Sequence, residues 1–437
     1  MYLTRRFYIL FTCLTLLIGF SYVFPLLFTA AKLLWAGFVL LVAGDALLLY
    51  HRRGMDARRD CADRFSNGDG NEVRIHLKSE YPFPVRLTVI DEAPEVFQRR
   101  DIDYRVRLRA EAGRTVGYSL VPTQRGVYSF GHIRCFVRTA VGLVERRYTL
   151  GSAEDVKVYP SFLMLNRYEL LAISDNLTEM GIKQIRRVGN NTEFEQIKDY
   201  VQGDDYRTVN WKASARRHQL MVNVYRDERS QQIFSVIDKG RVMQRSFRGM
   251  TLLDYSINAA LVLSYVAMRR EDKAGLITFA DRLDTFVAPS RRTGQMQRLL
   301  ESLYAQQTNF GETDFSSLCA NVHKQVGKRS LLVVYTDFSS MTALRRQLAY
   351  LKLLSRWHRV LVVFFEDAEM KAYIRSPKQS TEDYYRHVIA EKFVYEKRMI
   401  VSTLRRQGIY SLLTTPESLS VDVINKYLEM KQRQILT

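Results

Sequence analysis

The sequence predicts an α/β protein with a doubly wound parallel sheet, preceded by an antiparallel β-sandwich and an N-terminal transmembrane helical hairpin. Three observations predict it. The first 50 residues are almost entirely apolar, residues 71–160 carry short segments of period-two alternation, and from residue 232 runs dense in Val, Ile, Leu and Phe alternate with stretches of helical spacing. The implied organisation is a hairpin at 1–60, a sandwich at 61–160, a connecting segment and charged collar at 161–231, and the α/β domain at 232–437. A chain of 437 residues accommodates these parts, since domains average ~150 residues.

In the hairpin, Phe7 to Leu27 and Leu33 to Tyr50 are two apolar runs joined by Thr29-Ala-Ala-Lys32. Each is close to the ~20 residues that cross a bilayer. A cleaved signal peptide is the competing reading, but two successive runs without an Ala-x-Ala-like site after a short apolar core argue for retained spans. Arg5 and Arg6 precede the first run, and His51, Arg52, Arg53, Arg58 and Arg59 follow the second. The tip carries only Lys32, so the positive-inside rule places both ends in the cytoplasm of an inner-membrane protein. Asp45 interrupts the second run about 8 Å from Tyr50, near enough to the interface to meet water, Arg5 or Arg6.

The sandwich rests on alternation at Glu72–Leu77, Val85–Ile90, Tyr104–Leu108, Val116–Leu120, Ile133–Val137 and Val156–Tyr159, broken by turns such as Gln124-Arg-Gly126. An immunoglobulin-like or related module is expected. In the α/β region the expected order is strand 232–237, helix 251–270, strand 274–279, helices 294–306 and 315–326, strand 330–336, helix 341–356, strand 359–365, helix 381–407, strand 409–413 and helix 419–433. Apolar strands alternating with amphipathic helices imply a sheet covered on both faces, whose ligand crevice lies at the carboxyl ends of the strands.

Net charge is +19, carried mostly by dispersed doublets such as Arg291-Arg292 and Arg345-Arg346. Dispersed charge fits a protein held against an anionic bilayer leaflet, and no nucleic-acid-binding pattern accompanies it. Cys13, Cys61, Cys135 and Cys319 form no close pair, so no disulfide framework or zinc knuckle is implied. No Walker loop, His-Glu-x-x-His or Gly-x-Ser-x-Gly motif occurs.

The most informative stretch is Gly203-Asp-Asp-Tyr-Arg-Thr-Val-Asn-Trp-Lys-Ala-Ser-Ala-Arg216, followed by the apolar run Ile233-Phe-Ser-Val-Ile-Asp238. It is too rich in paired charge and too poor in glycine to be a linker. With Glu193-Phe194 upstream and Asp-Lys-Gly-Arg-Val-Met at 238–243, it resembles the bacterial domain-of-unknown-function 58 family, in which a degenerate von Willebrand factor A-like domain follows a membrane anchor. The resemblance implies that Asp238, Thr313 and Asp337 are remnants of a metal-ion-dependent adhesion site of the form Asp-x-Ser-x-Ser, Thr and distant Asp. Gly240 and Val242 stand at the two serine positions, so two hydroxyl ligands are missing. Mg²⁺ prefers six oxygens in octahedral array and would have to replace them with water. No cofactor is therefore expected; an ion, if bound, would be Mg²⁺ on Asp238, Thr313 and Asp337.

Each of these residues has a plainer role available. Thr313 can cap the helix at 315–326, Asp337 can start the next helix with Ser339 and Ser340, and Asp238 can pair with Arg241. Asp337→Asn is then expected to cost little structure. Asp204, Asp205, Arg207, Trp211, Lys212 and Arg216 read either as a phosphate-gripping patch or as an ion-pair network clamping the collar to the sheet, with Trp211 as its buried anchor. The clamp is the preferred reading, and it makes Trp211→Ala costly. The function expected is a membrane-tethered interaction protein rather than an enzyme. The resemblance further implies a MoxR-type AAA+ ATPase as partner, with a protein client. The alternatives are a metal-dependent hydrolase or phosphate-handling enzyme using Asp238 and Asp337, and an extracytoplasmic adhesin, which the positive flanks disfavour.

Overall fold

The computed structural model describes residues 1–21, 25–97, 103–163, 193–201, 204, 206–226, 230–378, 380–433 and 435. The chain divides into two compact units, Met1–Tyr159 and Pro160–Thr437.

The first unit opens with strand β1 (Tyr2–Leu3) and two helices, α1 (Arg5–Ser21) and α2 (Pro25–Tyr50). Thr29–Lys32, expected as the connection, is helical, and α2 as described already begins at Pro25. Proline at the first helical position explains this, because its fixed φ suits a helix start and its missing N–H would have no partner there. Lys32 accordingly sits within α2, its ammonium 4.2 Å from the centre of the Phe28 ring. Among the described residues one helix segment, Phe28–Tyr50, is long and apolar enough to cross a membrane.

Ten further strands follow: β2 (Met55–Cys61), β3 (Arg64–Ser66), β4 (Asn71–Ser79), β5 (Val85–Asp91), β6 (Asp103–Leu108), β7 (Gly113–Leu120), β8 (Gly126–Phe130), β9 (Ile133–Arg138), β10 (Val144–Leu150) and β11 (Glu154–Tyr159). They form sheets ordered β1-β10-β9-β5-β6, β2-β4-β7 and β3-β11-β8, antiparallel throughout except for β3 with β11. On β4, Val73, Ile75 and Leu77 point into a core shared with Leu87, Val89, Cys135 and Val137, while Glu72, Arg74 and His76 face solvent. Inside this core Asp91 accepts hydrogen bonds from Arg59 and Tyr118, and the Arg59 guanidinium lies over Phe130. Arg59 is therefore a buried structural cation and not a surface flank of the membrane run.

Both free ends of the helix pair are tied to this β-rich module. β1 pairs with β10 through Tyr2–Glu145 and Leu3–Val144, and Thr4 donates to the carbonyls of Gly142 and Leu143. At the far end of α2, Tyr81 and Arg146 both donate to the Leu49 carbonyl. Asp45 is 3% exposed and accepts from Thr139 and from the backbone N–H groups of Leu143 and Val144, the latter two at 2.9 Å. The turn leading into β10 and the first residue of that strand serve it in place of Arg5 and Arg6, because they present N–H groups that a carboxylate satisfies.

The second unit contains the hairpin β12 (Glu193–Asp199) and β13 (Met221–Arg226), and then a six-stranded sheet. Its strands are β14 (Gln232–Asp238), β17 (Lys273–Phe279), β18 (Leu283–Ser290), β19 (Leu331–Tyr335), β20 (Arg359–Phe365) and β21 (Tyr410–Thr414); the two-residue strands β15 (Ser246–Phe247) and β16 (Met250–Thr251) pair apart from it. The order is β18-β17-β14-β19-β20-β21, with all neighbours parallel except β18, which runs antiparallel to β17 at the edge. Alternation splits the core in two. Ile233, Ile237, Val333 and Val363 pack on one face with helices Leu252–Arg269, Gln295–Tyr304 and Leu419–Gln432. Phe234, Val236, Val334 and Val362 pack on the other with helices Phe315–Gln325, Met341–Trp357 and Thr381–Arg406.

Candidate functional site

The strand order reverses at β14, and ligand crevices of open α/β sheets lie outside the carboxyl ends of strands at such a switch point. Asp238 ends β14 and Asp337 follows β19, so both predicted carboxylates reach this place. They are 1% and 3% exposed. Their partners decide what they can do.

Asp238 Oδ1 accepts from Thr313 Oγ1 and from Gly240 N, each at 2.7 Å, and Oδ2 accepts from Thr336 Oγ1 at 2.7 Å. Burial raises its pKa, and the bonds from Thr336, Thr313 and Gly240 oppose the rise. Arg241 is exposed and is not its partner. Thr313 is thus spent on Asp238; Asp314 caps the Phe315–Gln325 helix instead, accepting from Ser316 N at 2.8 Å. Gly240 is required by this closure, since a Cβ placed there would lie 1.9 Å from Thr313 Oγ1. Val242 carries no polar group and packs partly buried on the core.

Asp337 does not start the next helix, a task that falls to Ser340, which accepts from Ala343 N. Instead its carboxylate receives the ammonium of Lys397, from the middle of the Thr381–Arg406 helix, and the N–H of Phe365 at 3.4 Å. Arg245 stands 3.7 Å away, bridging to Asp367 at 2.9 Å. Burial lowers the pKa of Lys397, with Asp337 opposing. Sequence reasoning missed Thr336, Arg245 and Lys397. Thr336 is adjacent to a predicted residue, but nothing local marks Lys397.

A divalent cation does not fit this arrangement. Thr313 donates to Asp238, no hydroxyl stands at 240 or 242, and Asp337 already faces an ammonium and a guanidinium. The Lys397 and Arg245 charges already balance that of Asp337 and leave it less able to attract an added cation. Among the described residues no group of three or more His, Cys, Asp or Glu is placed to hold a metal.

The collar differs from its expected form. Asp204 pairs with Lys198 at 3.0 Å and accepts from Val201 N, and the Lys198 hydrogen bond holds its pKa below the usual carboxylate range. This pair is local to the hairpin. Trp211, expected as a buried anchor, is 73% exposed at the start of the helix Trp211–Arg217, and Lys212 and Arg216 are exposed beside it. The reason is the cap: Asn210 accepts from Ala213 N and Ser214 accepts from Met221 N, so those two side chains face inward and their neighbours face out. Asp205 lies outside the described residues, as does the side chain of Arg207.

Residues 196–372 match the family described as "Protein of unknown function DUF58", which bears out the resemblance read from the collar and first strand. The uncharacterized protein YeaD of Bacillus subtilis (strain 168) is 26% identical over 202 residues, 44% of this chain, and the match spans 50% of that protein's length. Among solved structures, the conserved hypothetical protein BatB from Bacteroides thetaiotaomicron is 11% identical, with a TM-score of 0.32, over 47% of this chain and 99% of that one. An aerotolerance-related membrane protein from Bacteroides fragilis NCTC 9343 is likewise 11% identical, with a TM-score of 0.30, over the same shares. The CARDB domain of PF1109 from Pyrococcus furiosus is 17% identical, with a TM-score of 0.19, over 24% of this chain and 93% of that domain.

Proposed function

We propose, from the match of residues 196–372 to DUF58, that the chain is a membrane-tethered, cytoplasm-facing interaction protein. Its second unit is a von Willebrand A-like domain with a degenerate adhesion site, and its partner is a MoxR-type AAA+ ATPase acting on a protein client. One observation carries the reading: the crevice carboxylates are satisfied from within, Asp238 by Thr313, Thr336 and Gly240, and Asp337 by Lys397. A hydrolase needs a free base or a metal-activated water, and carboxylates engaged in this way serve poorly as either. What the crevice leaves exposed is its rim, including Arg241 and Glu312.

The anchor comprises two spans. The start of α1 and the end of α2 are held by the same module, so a chain that crosses the bilayer in α2 returns in α1. The 17 residues of α1 extend about 26 Å, close to the hydrocarbon thickness. Arg5, Arg6, Arg52, Arg53 and Arg58 flank the open end, and by the positive-inside rule this supports a cytoplasmic orientation.

The test is co-purification of the ATPase with the full chain from native membranes. Glu312→Lys and Arg241→Glu should each abolish capture while the melting temperature stays at the wild-type value. Retained capture in both variants refutes rim docking.

A further inference from the structure

The collar motif separates into a half that builds the fold and a half that does not. Asn210 Nδ2 donates to Asn223 Oδ1 at 2.8 Å, while its backbone N–H donates to the Met221 carbonyl at 2.8 Å. Ser214 Oγ donates to the Asn210 carbonyl at 2.8 Å. His218, in the left-handed region at φ 54°, ends the helix and returns the chain to β13 within three residues. The helix Trp211–Arg217 is thus fixed to the hairpin at both ends. Trp211, Lys212, Arg216 and Arg217 project from this mount into solvent.

Beside them lies an open groove of about 460 Å³ lined by the apolar Ile197, Ala213 and Met221 together with the polar Asn210, Lys212, Arg216 and Arg217. The helix carries three cations and no carboxylate, and among the described residues no acidic side chain pairs with any of the three. A mostly exposed tryptophan forgoes the burial that makes the residue stabilising, so its presence on a rigid mount needs another reason.

We propose that this face is a docking surface for an acidic segment of a partner protein. An apolar side chain of that segment enters the groove, its carboxylates meet Lys212, Arg216 and Arg217, and the exposed Trp211, next in sequence to the groove-lining Asn210 and Lys212, offers it a further apolar contact. Tryptophan and arginine dominate interface energetics, and guanidinium forks grip carboxylates in bidentate fashion. The mount is already ordered, which lowers the entropic cost of association. A flat bilayer would leave the concavity empty. A second copy would bring three cations against three. The surface is separate from the crevice rim, so either assignment stands or falls alone.

The experiment places p-benzoylphenylalanine at position 211 of the full chain and irradiates native membranes. The cross-linked peptide is mapped by mass spectrometry, synthesised and titrated into the full chain in nanodiscs. The expected partner peptide has net negative charge and binds less tightly as salt rises. Lys212→Glu combined with Arg216→Glu weakens it by about tenfold or more without moving the melting temperature, whereas Glu312→Lys leaves it unchanged. Should the 211 variant not fold, the reagent at position 216 serves the same purpose. A phospholipid adduct, an adduct to a second copy, a partner peptide without negative charge, no adduct at either position, or binding indifferent to the double reversal overturns the proposal.

Discussion

At Asp238, burial and hydrogen bonding oppose each other, and burial prevails. A carboxyl whose pKa is higher folded than unfolded contributes stability that is complete below the unfolded pKa and is lost as pH rises through the folded value. Asp238→Asn removes that loss, and either threonine hydroxyl can rotate to suit the amide. The melting temperature of the variant relative to wild type should therefore climb as pH rises from about 4 toward neutrality; a difference that is flat with pH would count against the buried, proton-favouring site. Asp337 is held by a cation instead. Read from sequence, Asp337→Asn is mild, but it strands the Lys397 ammonium, and removing one member of a buried pair costs about 3–5 kcal/mol. Adding Lys397→Met should recover most of that loss in denaturant midpoints, whereas additive losses would show that the two side chains are not coupled. Gly240→Ser, which formally restores an adhesion-site hydroxyl, meets Thr313 Oγ1 and should destabilise. Thr313→Ala should relieve it, read by the same melts. Trp211→Ala, in contrast, should leave stability within the range of ordinary surface changes, about ±0.5 kcal/mol.

Among elements, α2 illustrates how hydropathy misleads. By composition Asp45 weakens a membrane run, and replacing it by leucine should improve insertion. In the fold it satisfies two backbone donors at the entry to β10 and the Thr139 hydroxyl. Asp45→Leu should lower the melting temperature of the full chain in detergent, since each buried donor left unpaired costs about 1–3 kcal/mol; an unchanged melt would mean that the β10 turn finds other partners. The edge strand β18 was not legible. Its sequence Leu-Asp-Thr-Phe-Val-Ala-Pro-Ser is polar at one end and carries proline near the other, as edge strands do. The central strands were legible because burial on both faces writes near-continuous apolar runs, and β14, β19 and β20 lie close to their expected limits.

For the whole molecule, the proposed topology has a direct consequence. With both helix ends on the β-rich module and the arginines beside it, a fluorescent reporter fused at Thr437 should be bright and an alkaline phosphatase fusion there inactive. The reverse pattern would invert the orientation.

Periodicity and composition alone determined the order of parts: apolar N-terminal runs, period-two strands, and alternating apolar strands and helices ending on carboxylates. These signals are local, because which faces are buried is recorded every two or four residues. The tertiary structure decided what each functional side chain meets. Thr313 reaches Asp238 across 75 residues, Lys397 reaches Asp337 across 60, and Leu143 reaches Asp45 across 98. Such pairings depend on the three-dimensional register of separate elements, which no window of sequence contains. For the same reason Trp211, apolar and beside a cap, reads as core and stands in solvent: Asn210 and Ser214, pinned to β13, set which way the short helix faces.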